Sequence, residues 1–113
     1  MVRVEIKRQA NGQVTRFSAK GHAEAGQPGA DIVCAAISAV MQTALLGLGE
    51  YLGLKDRLTY RLDPDGWLFC QLPQEISQEE WLGMKAIVET MIIGLKSIQS
   101  EYGKYMSVEE EVE

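Results

Sequence analysis

The chain has one histidine and two cysteines in 113 residues, and each scarcity removes a class of protein. A metal centre built on imidazoles needs more than one histidine, so no metal site and no cofactor are expected. Cys34 and Cys70 lie far apart with no Cys-x-x-Cys spacing, which argues against a disulfide framework and against a zinc knuckle. Positive charge is also short. Eleven Lys and Arg against 16 Asp and Glu leave a net charge of -5 and a pI near 4.9. There is then no general attraction to phosphate backbones, and nucleic acid is not expected as a partner. No uninterrupted apolar run approaches the roughly 18 residues of a membrane span, and the N-terminus alternates charges with valines where a signal peptide carries an apolar core. A cytoplasmic protein without a membrane partner is expected. What is present is 46% hydrophobic residues, enough for one core, so residues 1–113 are read as a single domain with no linker.

Val2, Val4 and Ile6 alternate with Arg3, Glu5 and Lys7, the two-residue period of a strand with one wet face. Asn11-Gly12 favours the positive backbone angles of a tight type I′ hairpin, so residues 13–20 are expected to return antiparallel. This hairpin carries Arg3, Lys7, Arg8, Arg16 and Lys20 against Glu5 alone, a local basic patch. From Gly21 to Ala30 the chain is rich in glycine and poor in large apolar residues, and it reads as a mobile loop. Val33, Ile37, Val40, Met41, Ala44, Leu48 and Leu52 recur at intervals of three or four and predict a helix from about Asp31, terminated by Gly53.

Residues 56–62 and 66–72 read as a second hairpin, turned at Asp63-Pro64-Asp65-Gly66. Ser77 and Glu80 have the spacing of a capping box, and Ile76 with Trp81 that of a hydrophobic staple, so a second helix opens there. Its stripe is Trp81, Met84, Val88, Met91, Leu95, Ile98 and Tyr102. Leu82, Ile92 and Ile93 widen the apolar surface, either as a broad core face or as contact with another subunit. Residues 105–112 alternate weakly as a short final strand whose Glu109, Glu110, Glu111 and Glu113 read as solvated charge. Hairpins interleaved with helices predict an α+β fold: a small two-layer sandwich in which an antiparallel sheet, two hairpins plus a short C-terminal strand, packs with two long helices.

A thiol attacks a carbonyl carbon only as thiolate, so a catalytic cysteine needs surroundings that favour an anion. With Asp31 as N-cap, Cys34 is the third helical residue, in the first turn. There, unpaired amides and the positive end of the helix dipole favour negative charge and face a developing oxyanion. The glycine-rich segment between His22 and Cys34 allows the imidazole to fold back and take the thiol proton, with Gly26 and Gly29 as hinges for closure. Asp31 has two candidate jobs, capping the helix through the Cys34 amide or orienting His22. The residues alone leave catalysis open, because a lone thiol in an Ala-rich helix start is often only small packing and His22 has the bland reading of a surface-loop histidine. Cys70 alternates with Leu68 and Leu72 and reads as an inert core thiol.

Gly21-His22-Ala23, then Gly26, Gly29 and the run Asp31-Ile32-Val33-Cys34-Ala35-Ala36-Ile37-Ser38, resemble the signature of the ribosomal-processing cysteine protease family. The resemblance extends through chain length and element order to nearly the whole chain. It implies a small α+β homodimer of the bacterial cytoplasm that removes a short N-terminal extension from large-subunit ribosomal protein twenty-seven. Carried to this sequence, it makes Cys34 the nucleophile and His22 the general base, with Gly21, Asp31 and Ser38 in support. It also implies cleavage between an aromatic residue and a small one, hence an apolar subsite beside Cys34. Two other functions compete: a noncatalytic ribosome-assembly binding module that touches RNA through the basic hairpin, and a peroxide-reactive thiol protein, for which no resolving cysteine stands nearby.

Overall fold

The computed structural model describes residues 1–21, 30–64 and 67–113. The elements follow in the expected order: β1 (Val2–Arg8), β2 (Val14–Lys20), α1 (Ala30–Leu46), β3 (Thr59–Asp63), β4 (Trp67–Gln71), α2 (Gln78–Tyr102) and β5 (Met106–Val112). Five strands form one sheet in the order β3-β4-β2-β1-β5.

The sheet is mixed, which corrects the expectation of a wholly antiparallel one. β1 pairs antiparallel with β2, β2 with β4 and β3 with β4, but β5 runs parallel to β1, from Val2 opposite Met106 to Arg8 opposite Val112. The reason is the length of α2. A helix of 25 residues returns the chain to the end of the sheet from which β4 set out, so β5 can only repeat the direction of β4. β2–α1–β3 is a crossover of the same kind. The two crossovers travel in opposite directions across the sheet from oppositely directed strands, so a common handedness places both helices on one face. That face holds a single core in which Val4, Ile6, Phe17 and Leu68 meet Val33, Met41, Met84 and Leu95.

The first hairpin is not the type I′ turn that Asn11-Gly12 suggests. Among the described residues only glycines have positive φ, and in this loop only Gly12 does. Gly12 N donates to Gln9 O at 2.9 Å and Gln9 N to Gln13 O at 2.8 Å, a three-residue loop with one left-handed position. The Asn11 side-chain oxygen accepts from Gln13 N at 2.9 Å, fixing the loop without left-handed backbone at Asn11. The register then slips: Lys7 faces Arg16 while Arg8 faces Val14, leaving Thr15 as the extra residue of a bulge, buried and donating to Lys7 O at 3.3 Å.

In α1, Val33, Ile37, Met41, Ala44 and Leu45 are buried, as their spacing demands. The helix continues through a wider π turn, Gly47–Tyr51, and stops just before Gly53 at φ +68°. By length and composition alone the continuous helix Ala30–Tyr51, whose most apolar 18-residue stretch has a mean hydropathy of 1.9, would pass for a membrane span; here one face packs on the sheet. At the start of α2 both capping-box bonds form, Glu80 N to Ser77 Oγ at 3.1 Å and Ser77 N to Glu80 Oε1 at 2.9 Å. Ile92 belongs to the core, whereas Leu82 and Ile93 point outward.

The basic patch and the acidic tail prove to be partners, although most of these side chains remain exposed to solvent, as the reading of the tail expects. β5 lies against β1, and Glu109 faces Arg3 at 3.8 Å, Glu111 pairs with Lys7, and Glu113 lies 4.0 Å from Arg16. Arg8 is the best-held of the cations. Its guanidinium grips Glu89 of α2 with two bonds, of 2.7 and 2.9 Å, and reaches Glu110 through Nε at 2.9 Å, while Lys96 holds the other oxygen of Glu110 at 2.5 Å. These bonds keep both carboxyls below the usual carboxylate range, through Arg8 chiefly for Glu89 and through Lys96 first for Glu110.

Candidate active site

β2 ends where the chain must leave the sheet beside the N-terminus, and Gly21 stands at that point with φ +94°. A Cβ here would lie 2.5 Å from the Met1 carbonyl oxygen, so both the backbone angle and the space require glycine. Gly21 opens onto a cleft of about 310 Å³ between the end of β2, the N-terminal half of α1 and the turn end of β3 and β4. Cys34 and Ser38, one helical turn apart, present the same face of α1 to this cleft. Three of the expected site residues, Gly21, Cys34 and Ser38, are thereby brought together from two stretches of chain, the end of β2 and α1.

Asp31 does not take the position read for it. α1 begins at Ala30, so Asp31 is inside the first turn and exposed instead of serving as the N-cap. Its carboxylate still sits at the end of the helix that favours negative charge. Cys34 lies four residues past Ala30, the first described residue of α1. His22, Gly26 and Gly29, and with them the general base and the hinges of the expected loop, lie outside the described residues.

The opposite wall of the cleft is Leu62, Asp63 and Trp67. Nothing in the pattern of the sequence singles these out, since they reach Cys34 only because the β3–β4 hairpin packs alongside β2. Arg61 braces that wall: its guanidinium lies 4.9 Å from the centre of the Trp67 ring and its Nε 3.3 Å from Asp63 Oδ1. Leu62, with Met41 and Ile37 on the helix side, makes the cleft largely apolar, the character expected of a subsite for a large apolar side chain. The two thiols differ sharply in setting. Cys34 is half-buried at the cleft, while Cys70 is sealed in the core opposite Phe17, where burial pushes its pKa up to about 12. Neither is in a disulfide, and among the described residues no cluster of potential ligands fits a metal ion.

The sequence matches the profile of the family described as cysteine protease Prp over residues 1–107. It is 32% identical over 107 residues to the ribosomal processing cysteine protease Prp of Staphylococcus aureus, covering 92% of this chain and 93% of that one. To the Bacillus subtilis protein of the same name it is 26% identical over 102 residues, 90% of each chain. The fold superposes with a TM-score of 0.80 on the essential ribosomal processing protease Prp from S. aureus, solved with a substrate peptide; the identity is 26%, over 98% of this chain and 100% of that one. SMU.848 from Streptococcus mutans has the same fold at a TM-score of 0.79 and 21% identity, covering 100% of this chain and 96% of that one. With a match that runs through almost the entire sequence, this chain belongs to the cysteine protease Prp family and is a peptide-bond hydrolase of the cysteine type.

Proposed function

We propose that this protease acts in ribosome assembly, removing a short N-terminal extension from large-subunit ribosomal protein twenty-seven in the cytoplasm, with Cys34 as nucleophile and His22 as general base. The observation that carries the reading is the meeting of Gly21, Cys34 and Ser38 at one apolar cleft. Gly21 immediately precedes His22, so the base is anchored by one covalent step to the wall of the cleft that holds the thiol. In the reaction His22 takes the Cys34 proton, and the sulfur adds to the scissile carbonyl carbon. Collapse of the tetrahedral adduct breaks the C–N bond, His22 protonates the departing amine, and a thioester remains. Water, deprotonated by His22, then adds to the thioester and releases the thiol and the carboxylate of the removed peptide. Asp31 and Ser38 support the site from the same helix, Asp31 from its first turn and Ser38 from the floor of the cleft.

The printed description of the relatives, ribosomal processing, and the substrate peptide in the S. aureus structure support the substrate class. The binding-module alternative is weakened, because Arg3, Lys7 and Arg8 of the first hairpin face carboxylates of β5 and α2. A homodimer belongs to the same reading. It is supported by an apolar groove of about 790 Å³ along the seam of α1 and α2, floored by Ala39, Thr43, Gly47, Ala86, Thr90 and Gly94 beside the exposed Tyr51.

Incubation with the extended ribosomal protein, followed by intact-mass measurement, tests the function. The expected result is loss of one N-terminal peptide with the wild type and no change with Cys34→Ala or His22→Ala at equal thermal stability. Cleavage that survives Cys34→Ala would refute it. Light scattering of the wild type and Tyr51→Arg tests the dimer, with a twofold fall in mass expected for the variant.

A further inference from the structure

The Cys34 cleft does not end at the catalytic thiol. Gln42 and Leu62, which bound it on the side away from the β2 terminus, also bound a second groove of about 180 Å³ between the C-terminal half of α1 and edge strand β3. That groove is lined by Leu45, Leu46, Leu58 and Tyr60 and rimmed by Glu50 and Lys55. Leu46 on α1 and Tyr60 and Leu62 on β3 are 58%, 41% and 46% exposed, large apolar side chains on the two walls of this groove. Among the described residues β3 is an edge strand, so its outer backbone groups are available to an approaching chain. Tyr60 and Leu62 stand opposite Cys70 and Leu68 of β4 and so share the helix-covered face, but the sheet extends past α1 there and leaves them open.

We infer that this groove is a remote specificity subsite of the protease, taking an apolar side chain of the substrate as the peptide runs extended from Cys34 alongside β3. The inference rests on the proposed peptidase site and deepens it. Continuity through Gln42 and Leu62 is what ties the groove to the substrate and not to another partner. The spacing fixes the reach. From Cys34 to Leu46 the helix rises about 18 Å at about 1.5 Å per residue, which an extended peptide covers in about five residues at about 3.3 Å each. From Asp63 back to Tyr60 is about three residues of strand. The side chain bound is therefore about three to five residues from the scissile bond, and the peptide backbone lies where it pairs with an edge strand while alternate side chains enter the groove. Such a subsite lets an enzyme with a small apolar cleft select one protein terminus among many, since the second contact is made only by a chain that can extend along β3.

The test compares two synthetic peptides from ribosomal protein twenty-seven. One carries the whole extension and the first several residues of the mature chain; the other keeps only two residues on each side of the scissile bond. The wild type is expected to cleave the long peptide with at least about tenfold higher kcat/KM, the scale of burying one apolar side chain, mostly through KM. Leu46→Glu on the helix wall and Tyr60→Glu on the strand wall are expected each to erase that advantage while leaving the short peptide, the melting temperature and the oligomeric mass unchanged. Equal rates on the two peptides in the wild type, or variants that keep the long-peptide advantage, would overturn the subsite. Loss on both peptides together with a change of mass would give the groove to a second copy of the chain instead. A wild type that cleaves neither peptide would defeat the proposed substrate, and this subsite with it.

Discussion

Gly12 and Gly21 offer a controlled measurement of how tightly the N-terminus is held against the Cys34 cleft. Both have nearly the same backbone angle, φ +88° and +94°, yet a Cβ added at Gly12 meets nothing within 4 Å while one at Gly21 lies 2.5 Å from Met1 O. Gly12→Ala therefore carries only the left-handed strain, about 1 to 2 kcal/mol, partly offset by about 0.4 to 1 kcal/mol from the stiffer unfolded chain. Gly21→Ala carries the same two contributions and must also displace the Met1 carbonyl. That carbonyl is not loose: Val2 beside it is buried, and its amide donates to Tyr105 O at 2.9 Å. Overpacking against a fixed neighbour adds about 1 to 3 kcal/mol. Urea melts at pH 7 should show Gly21→Ala less stable than Gly12→Ala by that difference, with equal m-values, and turnover should fall only in Gly21→Ala. Equal losses in both variants would show that the N-terminus yields freely and that Gly21 is needed for its backbone angle alone.

Cys70→Ser should cost about 1 to 3 kcal/mol by placing a hydroxyl without a partner in the core, and leave peptide turnover unchanged; a fall in turnover at unchanged stability would assign Cys70 to the chemistry. Brief iodoacetamide treatment of the native protein, read by peptide mapping, should label Cys34 and spare Cys70, whose burial keeps it a protonated thiol to about pH 12. For Glu89 and Glu110 the folded pKa lies below the unfolded value near 4.5, so their contribution is complete above about pH 4.5 and is lost as pH falls through the lower folded values. Arg8→Met should accordingly flatten the acid limb of a stability–pH curve below pH 4.5; an unchanged limb would show that these pairs contribute nothing. Ser77→Ala removes the acceptor for the Glu80 amide at the start of α2 and should lower stability by about 1 kcal/mol, measured by the shift in urea midpoint.

Most of the secondary structure was legible in the sequence because it rests on local patterns. The period of two in Val2, Val4 and Ile6, the period near 3.6 from Val33 to Leu48 and the Ser77–Glu80 box are each satisfied within a few residues of chain, and all three recur in the structure. The catalytic reading of Cys34 was legible only through the family signature, since a thiol near a helix start has the same local pattern whether it is reactive or merely packed. What tertiary structure decided is whatever depends on residues distant in sequence. β5 pairs parallel to β1 because a 25-residue helix reverses the chain once, a fact of crossover geometry that no local alternation encodes. The same pairing sets Glu109, Glu110, Glu111 and Glu113 beside Arg3, Arg8, Lys7 and Arg16, a charge complementarity across strands that no local pattern shows. Asn11-Gly12 indicated a turn but not its type, because the Asn11 side chain could bond Gln13 from an ordinary backbone angle. The second wall of the Cys34 cleft, Leu62, Asp63 and Trp67, stands about thirty residues from Cys34 in the chain and beside it in space only through strand order. Sequence thus determined the elements and, by family, the chemistry; the neighbours of that chemistry were chosen by how the sheet closed, because pairing across a sheet is selected by the total of long-range contacts and not by any one strand.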